Sequence, residues 1–556
     1  MRNLFTLTLL CSHLFLTAIE EADLIISSNK VILMTEKESA QPLSVAIKNK
    51  KIIWIGSHED AKNIQGEHVD FGNQAVLPGF IDAHGHASYL AFATQVANIA
   101  SPPVGKINNI QDLQTELKNF IQDSGLQPGE WLMGLGYDDS LLAEQRHPTK
   151  DDLDEVSTEH PIYLIHVSAH LGAANSLGLS LANINSKTQD PPGGKIRRYE
   201  NSLEPNGVFE ETAAYPLQQL AMSAYKDPIG SVKKAMEIYA RNGITTAQDG
   251  ASSLETIGLM QAADAQNMID IDVISYPIGQ NGLDENLNAL NFGSYTGRVK
   301  VGGIKLILDG SPQGKTAYLT EPYYKPPHNE SKSYKGYPLI PQTEVSEWVK
   351  KYADLNIPIM AHANGDAAAD MLIQAVKNAE IESDHRTIMI HAQTVREDQL
   401  DLMKELEIIP SYFSTHTFYW GDWHRDSVFG VDRAMRISPT KSTLNRDMPF
   451  TVHNDAPVVP PDMIRLLWSS TNRITRSGKI LGDQQKISTY DALKAMTLNA
   501  AYQHFEDDIK GSIEVGKLAD LVVLSEDPLA MPAASLLNLK VIATYSHGKE
   551  IFKATK

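Results

Sequence analysis

The chain has 556 residues, 49 Lys+Arg against 68 Asp+Glu (formal net charge −19), 42% hydrophobic and 21% charged residues. This is the composition of a folded globular protein longer than one ordinary domain, and its acidic balance argues against a nucleic-acid partner, because phosphate binding needs a basic surface. The single cysteine, Cys11, excludes intrachain disulfides and points any zinc-type site toward histidine and oxygen ligands.

Met1-Arg2-Asn3 is a short basic start, Leu4 to Ile19 is mostly apolar around His13, and Glu20 and Glu21 follow. The apolar run is too short and interrupted to span a bilayer. Ending at Leu16-Thr17-Ala18, it reads as a signal peptide over residues 1–18. The expectation is an exported protein, periplasmic or secreted, with no membrane span after processing. Lipid anchoring through Cys11 is the weaker reading, because Leu10 precedes it where a small residue is expected.

Residues 22–76 contain short β-branched runs at 23–26, 43–47 and 51–56, and a matching set closes the chain at 520–524 and 541–545. This pattern predicts a small β-sandwich built from both ends, residues 22–76 and 506–556. The segment 77–99 then carries Leu77-Pro78-Gly79-Phe80-Ile81-Asp82-Ala83-His84-Gly85-His86. If that run is a strand, His84 and His86 share one side, about 7 Å apart for a rise of roughly 3.3 Å per residue. Both imidazoles then reach one cation. Residues 100–234 are less regular. A helix is expected at 110–120, with strands at 131–137 and 162–166, and the region reads as an inserted α/β subdomain.

From residue 235 to 505 the rhythm is strand then helix. Strand candidates lie at 243–247, 271–276, 301–308, 357–362, 387–391, 408–413 and 449–453, with helical stretches at 345–355, 367–379 and 398–406. With the strand ending at His84 there are eight, which predicts an α/β fold of (β/α)8 TIM-barrel type. Polar residues gather where such a barrel carries chemistry, at the C-terminal ends of its strands. They are His84, His86, Lys305 followed by Asp309, His362, His391 and Asp455. Each alone is ordinary, but their convergence on one rim is hard to explain by packing.

These motifs resemble the metal-dependent amidohydrolases, specifically the amidohydrolase-3, YtcJ-like and formamide-deformylase-like group. The resemblance runs from residue 22 to the C-terminus. It is carried by 78–86, Gly243-Ile244-Thr245-Thr246, Lys305 with Asp309-Gly310, His362-Ala363 with Gly365-Asp366, His391-Ala392-Gln393, Asn454-Asp455-Ala456-Pro457-Val458 and Gly516-Lys517-Leu518-Ala519-Asp520-Leu521. It implies that His84, His86 and Asp455 hold one metal, that His362 and His391 hold a second, and that Lys305 bridges them as a carbamate made with CO2. Two zinc ions are expected, with manganese, cobalt or iron as alternatives. The implied reaction is hydrolysis of a non-peptide C–N bond by a metal-bridging hydroxide, with Asp455 as general base and acid.

Asn454 and Asn364 depart from the residues frequent beside these ligands, which bears on substrate preference. Asp366 reads either as a support for a ligand histidine or as a helix cap. Substrate contacts are expected from His166, His170, His416, His424 and Arg473. The partner is a small-molecule substrate, and homo-oligomerisation is left open. Two alternatives stand beside this reading: a one-metal deaminase of an amino-heterocycle, and a non-catalytic exported ligand-binding protein.

Overall fold

The computed structural model describes residues 21–35, 40–222, 225–280, 283, 287, 290–327 and 330–555. The expected signal segment, with Cys11, lies outside the described residues. No helix among the described residues is long and apolar enough to cross a membrane.

Eight parallel strands organise the molecule. They are β1 (Phe80–Ile81), β2 (Ile244–Ser252), β3 (Asp272–Pro277), β4 (Ile304–Ile307), β5 (Ile359–Ala363), β6 (Ile388–His391), β7 (Ile409–Tyr412) and β8 (Thr451–Val452). β1 to β3 pair in one sheet and β4 to β8 in another. A parallel bridge between Ile278 and Lys305 links β3 to β4. At the other seam Asp455 N–H donates to His84 O (3.1 Å) and His86 N–H to Ala456 O (2.7 Å).

The alternation of side chains along these strands divides the core. Ile274 and Tyr276 of β3, Met360 of β5, and Ile388 and Ile390 of β6 form one small buried cluster. Their sequence neighbours Val273, Ala361 and Met389 join a much larger cluster with the surrounding helices. Lys305 lies between Ile304 and Leu306, both members of the larger cluster, so alternation puts Lys305 on the face that also carries Met360 and His362.

Two strand expectations change. The run expected as one strand at 301–308 is two, Val299–Val301 in the first sheet and Ile304–Ile307 in the second. Gly302-Gly303 makes the break, and a Cβ at Gly303 would sit 2.3 Å from Pro358 O. The run at 77–86 is also divided. Ala75–Pro78 belongs to the sheet of the chain ends, β1 keeps two residues, and His84 and His86 lie beyond it.

The chain ends form one continuous eight-stranded sheet in which the strand Leu521–Leu524 pairs with Ala75–Pro78. The two separate sheets of a sandwich are not what its hydrogen bonds draw. Strands between residues 97 and 211 form a six-stranded sheet of their own.

Candidate metal centre

The ends of β1, β4, β5, β6 and β8 bring the expected side chains to one place. His86 Nε2 lies 3.1 Å and His84 Nε2 3.4 Å from Asp455 Oδ1, and His391 Nε2 lies 3.9 Å from Asp455 Oδ2. Lys305 Nζ is 3.3 Å from His84 Nε2. The His84 and His86 rings are 5.0 Å apart and those of His362 and His391 4.6 Å. The strand alternation that predicted the first pair is not its cause, since both residues lie beyond the strand, His84 at a bend and His86 in an isolated antiparallel bridge to Asp249. Gly85 between them permits a close approach, because a Cβ there would lie 2.7 Å from Asp82 Oδ2.

Backbone conformation aims two of these groups. Alternation along β6 would turn His391 to the same side as Met389, away from Ile388 and Ile390. Instead His391 has φ of 70°, and Asp455 has φ of 60°. Left-handed backbone at non-glycine residues costs energy and collects at functional sites.

The surrounding bonds occupy Nδ1 of His84, His362 and His391 and leave Nε2 as the second donor of each ring, that of His84 3.3 Å from Lys305 Nζ and that of His362 3.2 Å from Asn364 Nδ2. His84 Nδ1 bonds Gln248 Oε1 at 2.5 Å. His362 Nδ1 bonds Asp309 Oδ1 at 3.1 Å, and His391 Nδ1 bonds His453 Nε2 at 3.1 Å. Asp309 also accepts from the backbone N–H of Tyr318, Asn364 and Gly365. Thus Asp309 orients His362. Asp366 instead begins the helix Asp366–Ala379 and accepts from Thr320 and Arg396. Gln248, Asp309 and His453 were not assigned roles from the sequence. Gln248 was signalled only by the polar Gln248-Asp249 pair one step past the expected end of β2.

The electrostatics fit a cation. Burial holds His84 well below the ordinary imidazole range, helped by the Lys305 and His86 charges, and burial with His362 does the same to His391. Burial alone would raise Asp455, but His86, His453 and Lys305 keep its carboxyl below the ordinary range. Burial pushes the Lys305 ammonium down to about 7. Asp455 Oδ1 is buried and aligned for a hydrogen bond with neither nearby imidazole. The neutral imidazoles of His84 and His391 beside an ionised carboxylate with an unused oxygen are a donor set for a divalent metal of the zinc type. The donor atoms of His84, His391 and Asp455 all lie within 4.8 Å of one another.

His86, Lys305, His362, His391 and Asp455 open on a cavity of about 450 Å³, which His170 also lines. His170 Nδ1 bonds Glu211 Oε2 at 2.7 Å, and its ring is 5.1 Å from that of His362. The other expected substrate contacts go elsewhere. His166 bonds Asp139 Oδ1 (3.0 Å) and Ser168 Oγ (2.8 Å). His416 and His424 stack as a buried pair joined at 2.9 Å. Arg473 is buried, donating to the carbonyls of Leu481, Ser438 and Ile437. A buried cation with each of its three nitrogens donating to a backbone oxygen is a strut between loops, and Arg473 is not among the residues lining the cavity.

A family model described as "Amidohydrolase family" matches residues 67–552. The chain is 26% identical over 545 residues to N-substituted formamide deformylase of Arthrobacter pascens, covering 94% of this chain and 97% of that protein. It is 25% identical over 556 residues to Protein LONG AFTER FAR-RED 3 of Arabidopsis thaliana, covering 96% and 92%. An uncharacterized metal-dependent hydrolase from Pyrococcus horikoshii OT3 superposes with a TM-score of 0.71 at 21% identity, covering 92% of this chain and 99% of that one.

Proposed function

The chain belongs to the amidohydrolase family, and from that premise we propose that it is a metal-dependent hydrolase of non-peptide C–N bonds in amides of the N-substituted formamide type. The strands β1 to β8 are read as a closed (β/α)8 barrel, flanked by the sheet of the chain ends (22–76 and 506–556) and by an inserted unit (100–234). One observation carries the reading. Side chains from the strand ends, His86, Lys305, His362, His391 and Asp455, line one cavity, with His84 Nε2 3.4 Å from Asp455 Oδ1 and 3.3 Å from Lys305 Nζ. The similarity to a formamide deformylase over 94% of the chain supports the bond type.

His84, His86 and Asp455 would hold one divalent metal, zinc being the first expectation, and His362 and His391 a second. When bound, such metals supply Lewis acidity toward a carbonyl oxygen and bring the pKa of water toward neutrality. The protein's own part follows from its geometry. Lys305 is a buried amine with its ammonium form disfavoured, so it can attack CO2, lose one proton and become an anionic carbamate with two donor oxygens. Asp455, kept ionised, takes a proton from the attacking water and returns it to the leaving nitrogen as the C–N bond breaks. Water and amide are consumed, and a carboxylic acid and an amine are released. The basic-then-apolar start of the sequence supports export to the periplasm or beyond.

A second reading has one observation in its favour. Asn364 Nδ2 lies 3.2 Å from His362 Nε2, a contact that competes with a metal for that nitrogen. It favours a one-metal deaminase in which His362 faces substrate. Metal content per chain, measured on wild type and Lys305→Ala protein prepared with bicarbonate, separates the two. Two metals falling in the variant, together with turnover of formamides, bear out the hydrolase. One metal, unaffected by the substitution, refutes the bridge and favours deamination. No metal after incubation with zinc, manganese or cobalt refutes both and leaves a binding role.

A further inference from the structure

We infer that the protein carries a second small-molecule site, separate from the metal cavity, for a monocarboxylate with an apolar body. The site does not depend on which bond the metal centre breaks. A cavity of about 270 Å³ abuts the metal cavity, and Val458 lines both. Leu90 and Ala93 of the helix Ala87–Ala93 line this second cavity, whereas Tyr89 and Phe92 of the same helix line the first. Val167, Tyr419 and Trp420 belong to its wall and pack in one apolar cluster with Val458 and Val459. Such a wall favours an apolar ligand, because contact removes apolar surface from water. The volume is at the small end for a ligand cavity, which suits a body of one ring or a short branched chain.

The anion's partner is Arg476, the only cation among the described residues lining this cavity. Its Nε is buried with no hydrogen-bond partner among the described residues, and no ion pair among them includes it. Its Cζ lies over the Tyr419 ring, 5.4 Å from the centroid. Arg473, three residues earlier, spends every nitrogen on a backbone carbonyl. Arg476 sits in a turn closed by an antiparallel bridge between Ile474 and Ile480. Asp422 anchors that turn by accepting from Ser477 N–H (3.1 Å) and Oγ–H (2.7 Å). Ser101 Oγ, on the same wall, is also buried without a partner. Buried donors left unpaired are costly, so an acceptor brought by a ligand gains their bonds. A carboxylate fits, since it takes two parallel N–H bonds from one guanidinium. Asp138 is the only acid among the lining residues, and its carboxylate already accepts from Trp420 Nε1–H (2.7 Å), Ser140 N–H (3.0 Å) and Ser140 Oγ–H (2.6 Å). Its charge disfavours a second negative charge on the ligand, which selects a monoanion over a phosphate dianion.

The test is calorimetric titration of the full-length, metal-loaded protein with 3-phenylpropanoate and with its neutral counterpart 3-phenylpropan-1-ol, neither of which has a C–N bond to break. Wild type is expected to bind the acid about tenfold or more tighter than the alcohol. Arg476→Gln should weaken the acid about tenfold or more and the alcohol less than about twofold. Ala93→Phe fills the cavity without touching a charge and should weaken both probes about tenfold or more. Circular dichroism and metal content matching wild type show that each variant is folded. A carboxylate can also seat on the metals, and in that case acid affinity survives both substitutions, which overturns the inference. Failure of wild type to bind the acid, or equal affinity for acid and alcohol, overturns it too. If Arg476→Gln does not fold, Ala93→Phe decides: loss of acid binding bears the site out and retention overturns it.

Discussion

The position of Lys305 makes a quantitative prediction about CO2. Its side chain is 1% exposed, and burial brings the ammonium from 10.5 to about 7. A base with a lowered pKa is neutral above that value, so the reactive amine fraction is about 0.09 at pH 6 and about 0.91 at pH 8. At constant dissolved CO2, carbamate formation on metal-free protein should therefore be roughly tenfold faster at pH 8 than at pH 6. An ordinary lysine at 10.5 is neutral in only about 0.003 of molecules at pH 8, so the neutral fraction of Lys305 exceeds that of a surface lysine roughly 300-fold. The sign for stability follows the same way. Between pH 7 and 10.5 the unfolded chain holds a proton that the folded chain has shed, so this group's contribution to stability rises with pH across that window. The assay is 13C NMR with labelled CO2, following one carbamate resonance that is lost in Lys305→Met. Equal rates at pH 6 and 8, or a resonance that survives the substitution, would refute the reasoning.

Three further outcomes follow from the surrounding contacts. Gln248→Ala removes the acceptor at His84 Nδ1, and metal affinity measured by competition with a chelator should fall about 10- to 100-fold with little change in fold. Asp455→Asn removes both a proton carrier and an anionic donor, and kcat should drop by about three orders of magnitude or more, read against unchanged circular dichroism. Arg473→Met strands the carbonyls of Leu481, Ser438 and Ile437. It should cost about 3 kcal/mol in denaturant unfolding while leaving KM within twofold, whereas a rise in KM alone would return Arg473 to substrate binding.

The order of strands and helices from residue 243 onward was legible because β-branched runs and amphipathic stretches alternate there, and local periodicity reports burial. The ligand types were legible because histidines, a lysine and an aspartate end those runs. What periodicity could not supply is direction. His391 and Asp455 reach the centre through left-handed backbone, and no pattern in one strand encodes such a reversal. Nor could it foresee pairings across 164 residues, such as Gln248 with His84, or separate Asp309 from Asp366 as the partner of His362.

The same limit explains the aromatic and cationic residues. By sequence, Phe418-Tyr419-Trp420 with His416 and His424, and Arg473, were as eligible for the metal cavity as Tyr89, Phe92 and Tyr225, which line it. Which set meets substrate depends on how helices after β1 and β2 and the segment 97–222 pack over the strand ends, and that is settled by long-range burial. The sequence by itself determined which residue types stand at the ends of which strands, because those follow from local hydrophobic spacing. Only the tertiary structure decided which of them share a wall and which are held by second partners, because these depend on distances between residues far apart in the chain.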